Sequence, residues 1–456
     1  MKKTLIILPL LLGVLSVFTS CLGDKTSSGK TDRPNIVLLM ADDMGFECLS
    51  SNGCLSYSTP VLDDLAARGI KFNYTISQPL CTPSRVKIMT GKYNYRNYKA
   101  FTYLDPNEKT FGNYLKDAGY STCVVGKWQL SGEDKVEGVQ SDTAELLVRP
   151  QHFGFEEYCL WNFIGQSGNR YANPKIFQNG EVLGGLENSY GPDVVSNYAM
   201  DFMERNKDQP FFLYYPMILV HSPFIPTPDS EEWSDPDLRQ KSEDRFFKDM
   251  VEYTDKIVNT LVAKIEKLGL SENTIFIFTA DNGTHVKLVT QTVSGPYPGG
   301  KGTMPDAGCH VPMLVYNPSE IIKPVVYNEL FEFSDFLPTF LDIAGVPVPD
   351  GIDGKSFSSL FMGEKQKPRK TVFVHYDPLK GGGSERHYGR FVRTKEYKLY
   401  NDGRFYNLSK DKLEMNPISD EALSPEEVEL KISFQAELDT SPPHEFKQPS
   451  KYGKQK

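Results

Sequence analysis

Apolar runs without polar alternation, the pattern of strands buried on both faces, recur along this chain between segments whose apolar residues repeat at helical spacing. Asn35-Ile36-Val37-Leu38-Leu39-Met40 is the first such run, and stretches at 71–76, 121–125, 211–216, 274–279 and 313–316 predict further strands. Thr59-Pro60, then Leu62, Leu65 and Ala66, closed by Gly69, predict a capped amphipathic helix with proline in its first turn. The spacing predicts other helices over 81 to about 90, 111–118, 194–205, 246–268 and 334–344. Strands alternating with helices make an α/β domain, a central and mostly parallel sheet flanked by helices. Residues 165–191 are rich in glycine and asparagine and break the pattern. Beyond about residue 364 short strands follow at 371–376, 389–393, 397–400 and 404–408, then a helix over about 425–437. This change divides a large domain, 34–363, from a smaller C-terminal one with its tail, 364–456, whose Lys- and Pro-rich end is expected to fray.

A chain of 456 residues is too long for one ordinary core, which agrees with that division. Hydrophobic residues make up 39%, and no apolar run after the N-terminus approaches a membrane span. The net charge of -9 argues against a nucleic-acid surface and against broad steering of anions, so an anionic substrate needs local cations. At the start, Lys2 and Lys3, an apolar stretch over 5–18 and Thr19-Ser20-Cys21 read as an export signal over 1–20. Cleavage before Cys21 and acylation of its thiol would leave a lipoprotein at the periplasm or cell surface, on a polar leash over 21–33. The seven cysteines form no zinc pattern; Cys48 and Cys54 could close a short loop or remain thiols.

Cys81-Thr82-Pro83-Ser84-Arg85 opens a predicted helix. Unpaired backbone N–H groups and the positive end of the helix dipole favour an oxyanion there, and Arg85 adds a permanent, planar cation. Asp42-Asp43 follows the first strand almost at once, and Asp281-Asn282 follows the strand at 274–279 in the same way. Each pair alone reads equally as a turn or a cap. Ligands of open α/β sheets sit beyond the carboxyl ends of strands, however, so two such pairs can converge on one hard cation. Oxygen donors of this kind suit calcium or magnesium.

Cys-x-Pro-Ser-Arg running into Met89-Thr90-Gly91-Lys92, with Ala-Asp-Asp-x-Gly at 41–45, resembles the type I sulfatases of the alkaline phosphatase superfamily. Further motifs keep the family order: Gly126-Lys127-Trp128, His221-Ser222-Pro223, Ala280-Asp281-Asn282-Gly283 and Gly300-Lys301-Gly302. The resemblance implies that a maturation enzyme converts Cys81 to formylglycine. It implies a calcium ion on Asp42, Asp43, Asp281, Asn282 and the oxygen at position 81. It also implies Arg85, Lys127 and Lys301 as cations on the sulfate, and His221 as sulfate ligand and general acid for the leaving alcohol. An alkaline phosphatase-like large domain and a small antiparallel C-terminal sheet with a helix are implied as well.

Gln129 departs from the pattern, because many members carry histidine there to help remove the formylglycine hydroxyl proton. Glutamine can orient a hydroxyl but is no base near neutral pH. Another base, a slower elimination or a loss of turnover would each follow, with His285 as a possible substitute. A sulfated glycan is the expected substrate. Tyr95, Arg96, Tyr98, Trp128, His387 and Arg390 are proposed to line its sugar subsite. The rival readings are a phosphoester or phosphonate hydrolase on the same fold, and a lipoprotein that binds sulfated glycans without turnover.

Overall fold

Strand β1 (Asn35–Ala41) is buried at every residue, as an apolar run must be when both faces of its sheet are covered. The structure, a computed structural model, describes residues 33–131, 149–163, 168–317, 324–378 and 388–443. The export signal, the lipid anchor at Cys21, the leash up to residue 32, His387 and the end of the tail lie outside these residues.

Nine further strands join β1 in one sheet. They are β2 (Ile70–Ile76), β3 (Ser121–Lys127), β4 (Glu157–Trp161), β5 (Phe177–Gln178), β6 (Glu181–Val182), β7 (Phe211–Pro216), β8 (Thr274–Ala280), β11 (His310–Tyr316) and β12 (Val325–Glu332). Between them a separate hairpin pairs β9 (Val289–Thr292) with β10 (Gly295–Pro298). The ten-stranded order is β12-β2-β11-β8-β1-β7-β3-β4-β5-β6. β1 pairs in parallel with β7 and β8, whereas β11 runs against both β2 and β8. The start of β11 therefore lies at the edge where its neighbours end. Amphipathic helices cover the faces; Phe246–Lys267, for example, buries Met250, Val251, Val258, Leu261 and Ile265.

The C-terminal region forms the antiparallel sheet β13 (Val372–Tyr376), β14 (Gly389–Arg393), β15 (Tyr397–Tyr400) and β16 (Phe405–Asn407). The helix Pro425–Asp439 begins with a capping box of Ser424 and Glu427. Its Phe434 and Leu438 pack with Phe373, Val392, Leu399 and Phe405. Alternate positions of the same sheet, Val372, Val374, Tyr376 and Phe391, pack with Ile76, Leu80 and Cys81 of the large domain. The small sheet is thus a wall behind the cysteine.

Several elements depart from the pattern-based expectation. β4, β12 and the short pairs β5–β6 and β9–β10 are strands beyond those the sequence pattern predicts. The helix expected over 334–344 begins as a tight turn, Phe333–Asp335, before Phe336–Ile343. All six described cysteines, Cys48 and Cys54 among them, are free thiols.

Candidate active site

Beyond Ala41 the chain turns with Asp43 in the left-handed backbone region, φ 69°. A side chain there costs free energy that its surroundings must offset. The Asp43 amide donates to Asp281 Oδ1 at 3.0 Å. Backbone bonds continue past the strand ends, Asp281 N to Ala41 O at 2.9 Å and Asp42 N to Leu219 O at 2.8 Å. Ala41 and Ala280 are register partners, so Asp42-Asp43 and Asp281-Asn282 leave the sheet side by side. Asn282 Nδ2 donates to Asp43 Oδ1 at 2.9 Å, and all four residues are buried.

Cys81 is the first residue of the helix Cys81–Thr90, which is buried throughout. Ser84 Oγ donates to the Asp281 carbonyl at 2.5 Å and accepts from Gln78 N at 3.0 Å, pinning the helix start to the carboxylates. Gly91 ends the helix in the left-handed region, φ 67°. Arg85 is buried and donates from Nη2 to the Lys127 carbonyl.

Lys127 ends β3, two places from β1 in the sheet, and brings Nζ to 2.6 Å from Asp42 Oδ2. Lys301 lies just before β11, whose reversed direction delivers it to the same edge, with Nζ 2.5 Å from Asp43 Oδ2. Its segment threads between backbone layers: a Cβ on Gly283 would stand 1.9 Å from Ala307 O, and one on Gly308 1.9 Å from Thr303 O. Only glycine permits that approach. His221, beyond β7, places Nε2 at 3.7 Å from Asp43 Oδ2.

Burial by itself would raise the carboxyl pKa of Asp42, but the charges of Lys127, His221 and Lys301 outweigh it and hold the group well below the usual range. Asp43 is likewise lowered against its burial, chiefly by Lys301. For Asp281 burial together with the Asp42 charge outweighs the pull of Lys127 and pushes it far up. Burial lowers His221 to about 4 against the pull of Asp43 and Asp42. Burial would lower Lys301, yet the carboxylates of Asp43 and Asp42 raise it.

These oxygens fit a hard divalent cation. Among the described residues, Asp42, Asp43 and His221 offer ligand atoms within 4.8 Å of one another. Asp42 Oδ1 and Asn282 Oδ1 are buried without a hydrogen-bond partner, an arrangement that costs free energy unless a cation or donor meets them. Arg85 Nε and Nη1 are buried donors in the same condition, which suits an anion beside the cation.

Gln129 stands two residues beyond Lys127 in the left-handed region, φ 46°, with its amide donating to Asn162 O at 3.0 Å and its Oε1 buried and unpartnered. His285 is half-buried; its Nδ1 accepts from Lys287 N at 3.2 Å and its ring sits edge-on to Phe224. His310 is a packing residue, stacked on Phe46 with Nε2 against Asn73 O at 2.9 Å.

Trp128 and Tyr98, two residues expected to line the sugar subsite, are buried in the core instead. Trp128 is fully buried with Nε1 donating to Ser131 Oγ at 2.9 Å. Tyr98 is buried and donates to Pro378 O at 2.9 Å. Arg96 is paired with Asp353 at 2.6 Å, Tyr95 packs on Phe373, and Arg390 donates to His375 and Pro442. Trp128 and Tyr98 belong to the core, Tyr95 and Arg390 support the small sheet, and Arg96 is exposed. Arg170 also reaches the site, with its Nη1 2.8 Å from His221 Nδ1. It lies in the aperiodic stretch at 165–191, where no sequence signal distinguishes it.

The family described as Sulfatase matches residues 34–346, and the one described as N-sulphoglucosamine sulphohydrolase, C-terminal, matches residues 300–440. Human arylsulfatase A is 32% identical over 408 residues, covering 80% of this chain and 74% of that protein. N-acetylglucosamine-6-O-sulfatase of Bacteroides thetaiotaomicron is 26% identical, covering 85% of this chain and 83% of that one. A solved structure of BT4656 with its substrate D-glucosamine-2-N,6-O-disulfate superposes with TM-score 0.71 at 22% identity, covering 90% of this chain and 98% of that one.

Proposed function

Because the chain belongs to the sulfatase family of the alkaline phosphatase superfamily and is a sulfuric ester hydrolase, we propose that it removes sulfate from a sulfated glycan sugar. In this reading Cys81 is the precursor of formylglycine. Asp42, Asp43, Asp281, Asn282 and the oxygen at position 81 hold calcium. Export and a lipid anchor at Cys21 would place the enzyme where such glycans are met.

The observation that carries the reading is the pairing of two strand ends, with three carboxylates and an amide between Lys127 and Lys301, beside a helix that begins at Cys81. When present, the hydrated aldehyde supplies one hydroxyl to take the sulfuryl group and another to release it, and calcium polarises the ester. Lys127, Lys301 and the unpartnered N–H groups of Arg85 neutralise sulfate oxygens as negative charge concentrates on them. The buried walls exclude water, which strengthens these contacts. His221 offers its Nε2 to the ester oxygen, where the leaving alcohol gains charge. Gln129 can orient a hydroxyl but takes no proton. The glycan is favoured by the relative called an N-acetylglucosamine-6-O-sulfatase.

The test is co-production with a formylglycine-generating enzyme, intact mass, and sulfate release from position-defined sulfated monosaccharides with calcium present. Release that disappears in Cys81→Ala supports the reading. A converted residue 81 with no release from any sugar would favour the non-catalytic binder. Phosphate or phosphonate esters cleaved faster than every sulfate would favour the rival hydrolase.

A further inference from the structure

His221 Nδ1 has two neighbours that it cannot satisfy at once. Arg170 Nη1 lies 2.8 Å away and the Ser222 carbonyl oxygen 2.6 Å away. A guanidinium only donates, so it requires a bare Nδ1; a carbonyl only accepts, so it requires Nδ1–H. One ring nitrogen cannot be both. The charged donor makes the stronger bond, roughly twice a neutral one, and the carbonyl has no comparable claim.

Arg170 is also held in place. Its guanidinium stacks over the Trp161 ring, 4.1 Å from the centroid, and Trp161 Nε1 donates to Gly168 O at 3.0 Å. Next along the chain, the buried Tyr171 hydroxyl donates to Ile218 O at 3.0 Å and to His221 O. Gly191 N donates to Tyr171 O at 2.8 Å. Trp161 is the register partner of Lys127, so the platform beneath Arg170 is built on the strand next to the one that carries the lysine. These contacts clamp the segment around Arg170 to the one around His221 from several sides. A guanidinium on an aromatic platform with its neighbours bonded has little freedom to turn away.

We propose that Arg170 is a positioning residue for the reaction: it donates to Nδ1 of His221 and so keeps the imidazole proton on Nε2, the nitrogen 3.7 Å from Asp43. This rests on the reading of His221 as the group facing the ester oxygen. The hydrogen bond at one ring nitrogen decides what the other presents. With Arg170 in place, His221 presents an N–H to the oxygen that gains charge. Without it, the proton moves to Nδ1 and the Ser222 carbonyl, and a lone pair faces that oxygen instead. Arg170 does this without touching the reacting atoms, and it belongs to a loop whose sequence marks nothing.

The proposal is tested on the full chain labelled with 15N in its histidine rings, where long-range NMR correlations distinguish the tautomers and His221→Gln identifies the signals. The expected result is an Nε2–H tautomer in the wild type, its loss in Arg170→Met, and its retention in Arg170→Lys. On the matured enzyme, kcat of Arg170→Met is expected to fall at least about 100-fold with KM within about threefold, and Arg170→Lys to recover part of the loss. A wild-type His221 protonated on Nδ1, or a tautomer unchanged in Arg170→Met, overturns the proposal. So does a raised KM at unchanged kcat, which would make Arg170 a substrate contact. If Arg170→Met does not fold, the wild-type and Arg170→Lys spectra still decide. Absence of sulfate release by the wild type would sink the glycan reading and leave the ring-nitrogen signals interpretable.

Discussion

Asp43 donates its backbone amide to the Asp281 carboxylate at 3.0 Å, across 238 positions of sequence, while its own backbone stands at φ 69°. The bond ties two strand ends into one cluster of acidic oxygens, and burial makes that cluster costly until a cation meets it. Calcium should therefore stabilise the native chain: a ligand at about 100 times its Kd contributes about 2.7 kcal/mol. Asp281→Asn keeps an acceptor for the Asp43 amide but removes the carboxyl that a bound cation would hold ionised. It is expected to fold and to lose most of the calcium-dependent rise in Tm, measured by thermal denaturation with and without the ion. Equal rises in both proteins would remove Asp281 from the ligand set.

Gln129→His tests the departure from the family motif. Its left-handed backbone, φ 46°, is one that histidine adopts more readily than most residues, so the exchange should be tolerated. If the slow step is deprotonation of the residue-81 hydroxyl, a base at 129 should raise steady-state turnover by about 100-fold. The initial burst of released alcohol should keep its rate. A changed burst with unchanged turnover would place the limitation elsewhere.

The helix carrying Cys81 is docked through Lys87, whose Nζ lies 2.5 Å from Glu332 Oε2 with both side chains fully buried. Arg369 is the next cation, 3.5 Å from the other carboxylate oxygen. Lys87→Met leaves Glu332 poorly compensated and is expected to cost about 3–5 kcal/mol in denaturant unfolding. Lys87→Met combined with Glu332→Leu should be markedly less harmful. Additive losses would show that the pair itself matters less than the packing around it.

Glu47 gives a pH signature. Burial raises its carboxyl from 4.5 to about 7, against the hydrogen bond from the Thr284 hydroxyl. The folded state therefore binds this proton more tightly than the unfolded chain. Stability contributed by the protonated form is present below pH 4.5 and is lost as pH rises through about 7. The loss amounts to about 3 kcal/mol. Glu47→Gln should flatten that part of the profile and be more stable than wild type at pH 8. Parallel profiles in chemical denaturation would assign the slope to another group.

Much of the fold and of the site is legible in the sequence. β1, β7 and β8 are dominated by apolar runs and are buried at every residue. The helix at Cys81 starts where its proline and cysteine place it, and Gly91 ends it. The paired Asp42-Asp43 and Asp281-Asn282 both emerge at strand ends, as their positions after apolar runs imply. Trp128 and Tyr98 misled because an aromatic residue near a motif has the same letters whether it faces a sugar or the core. β12 escaped because its outer half is exposed and irregular in register.

Periodicity is a local property, set by neighbours two to four residues apart, and so the chain could announce its strands, its helices and the residues that carry chemistry. Which strands lie side by side is a matter of packing between distant segments. β8 beside β1, β11 reversed so that Lys301 arrives at the same edge, and Arg170 against His221 all come from contacts that no short window contains. Burial then makes those contacts consequential, since the same carboxylates and ring nitrogens in water would neither shift their protons nor need one another.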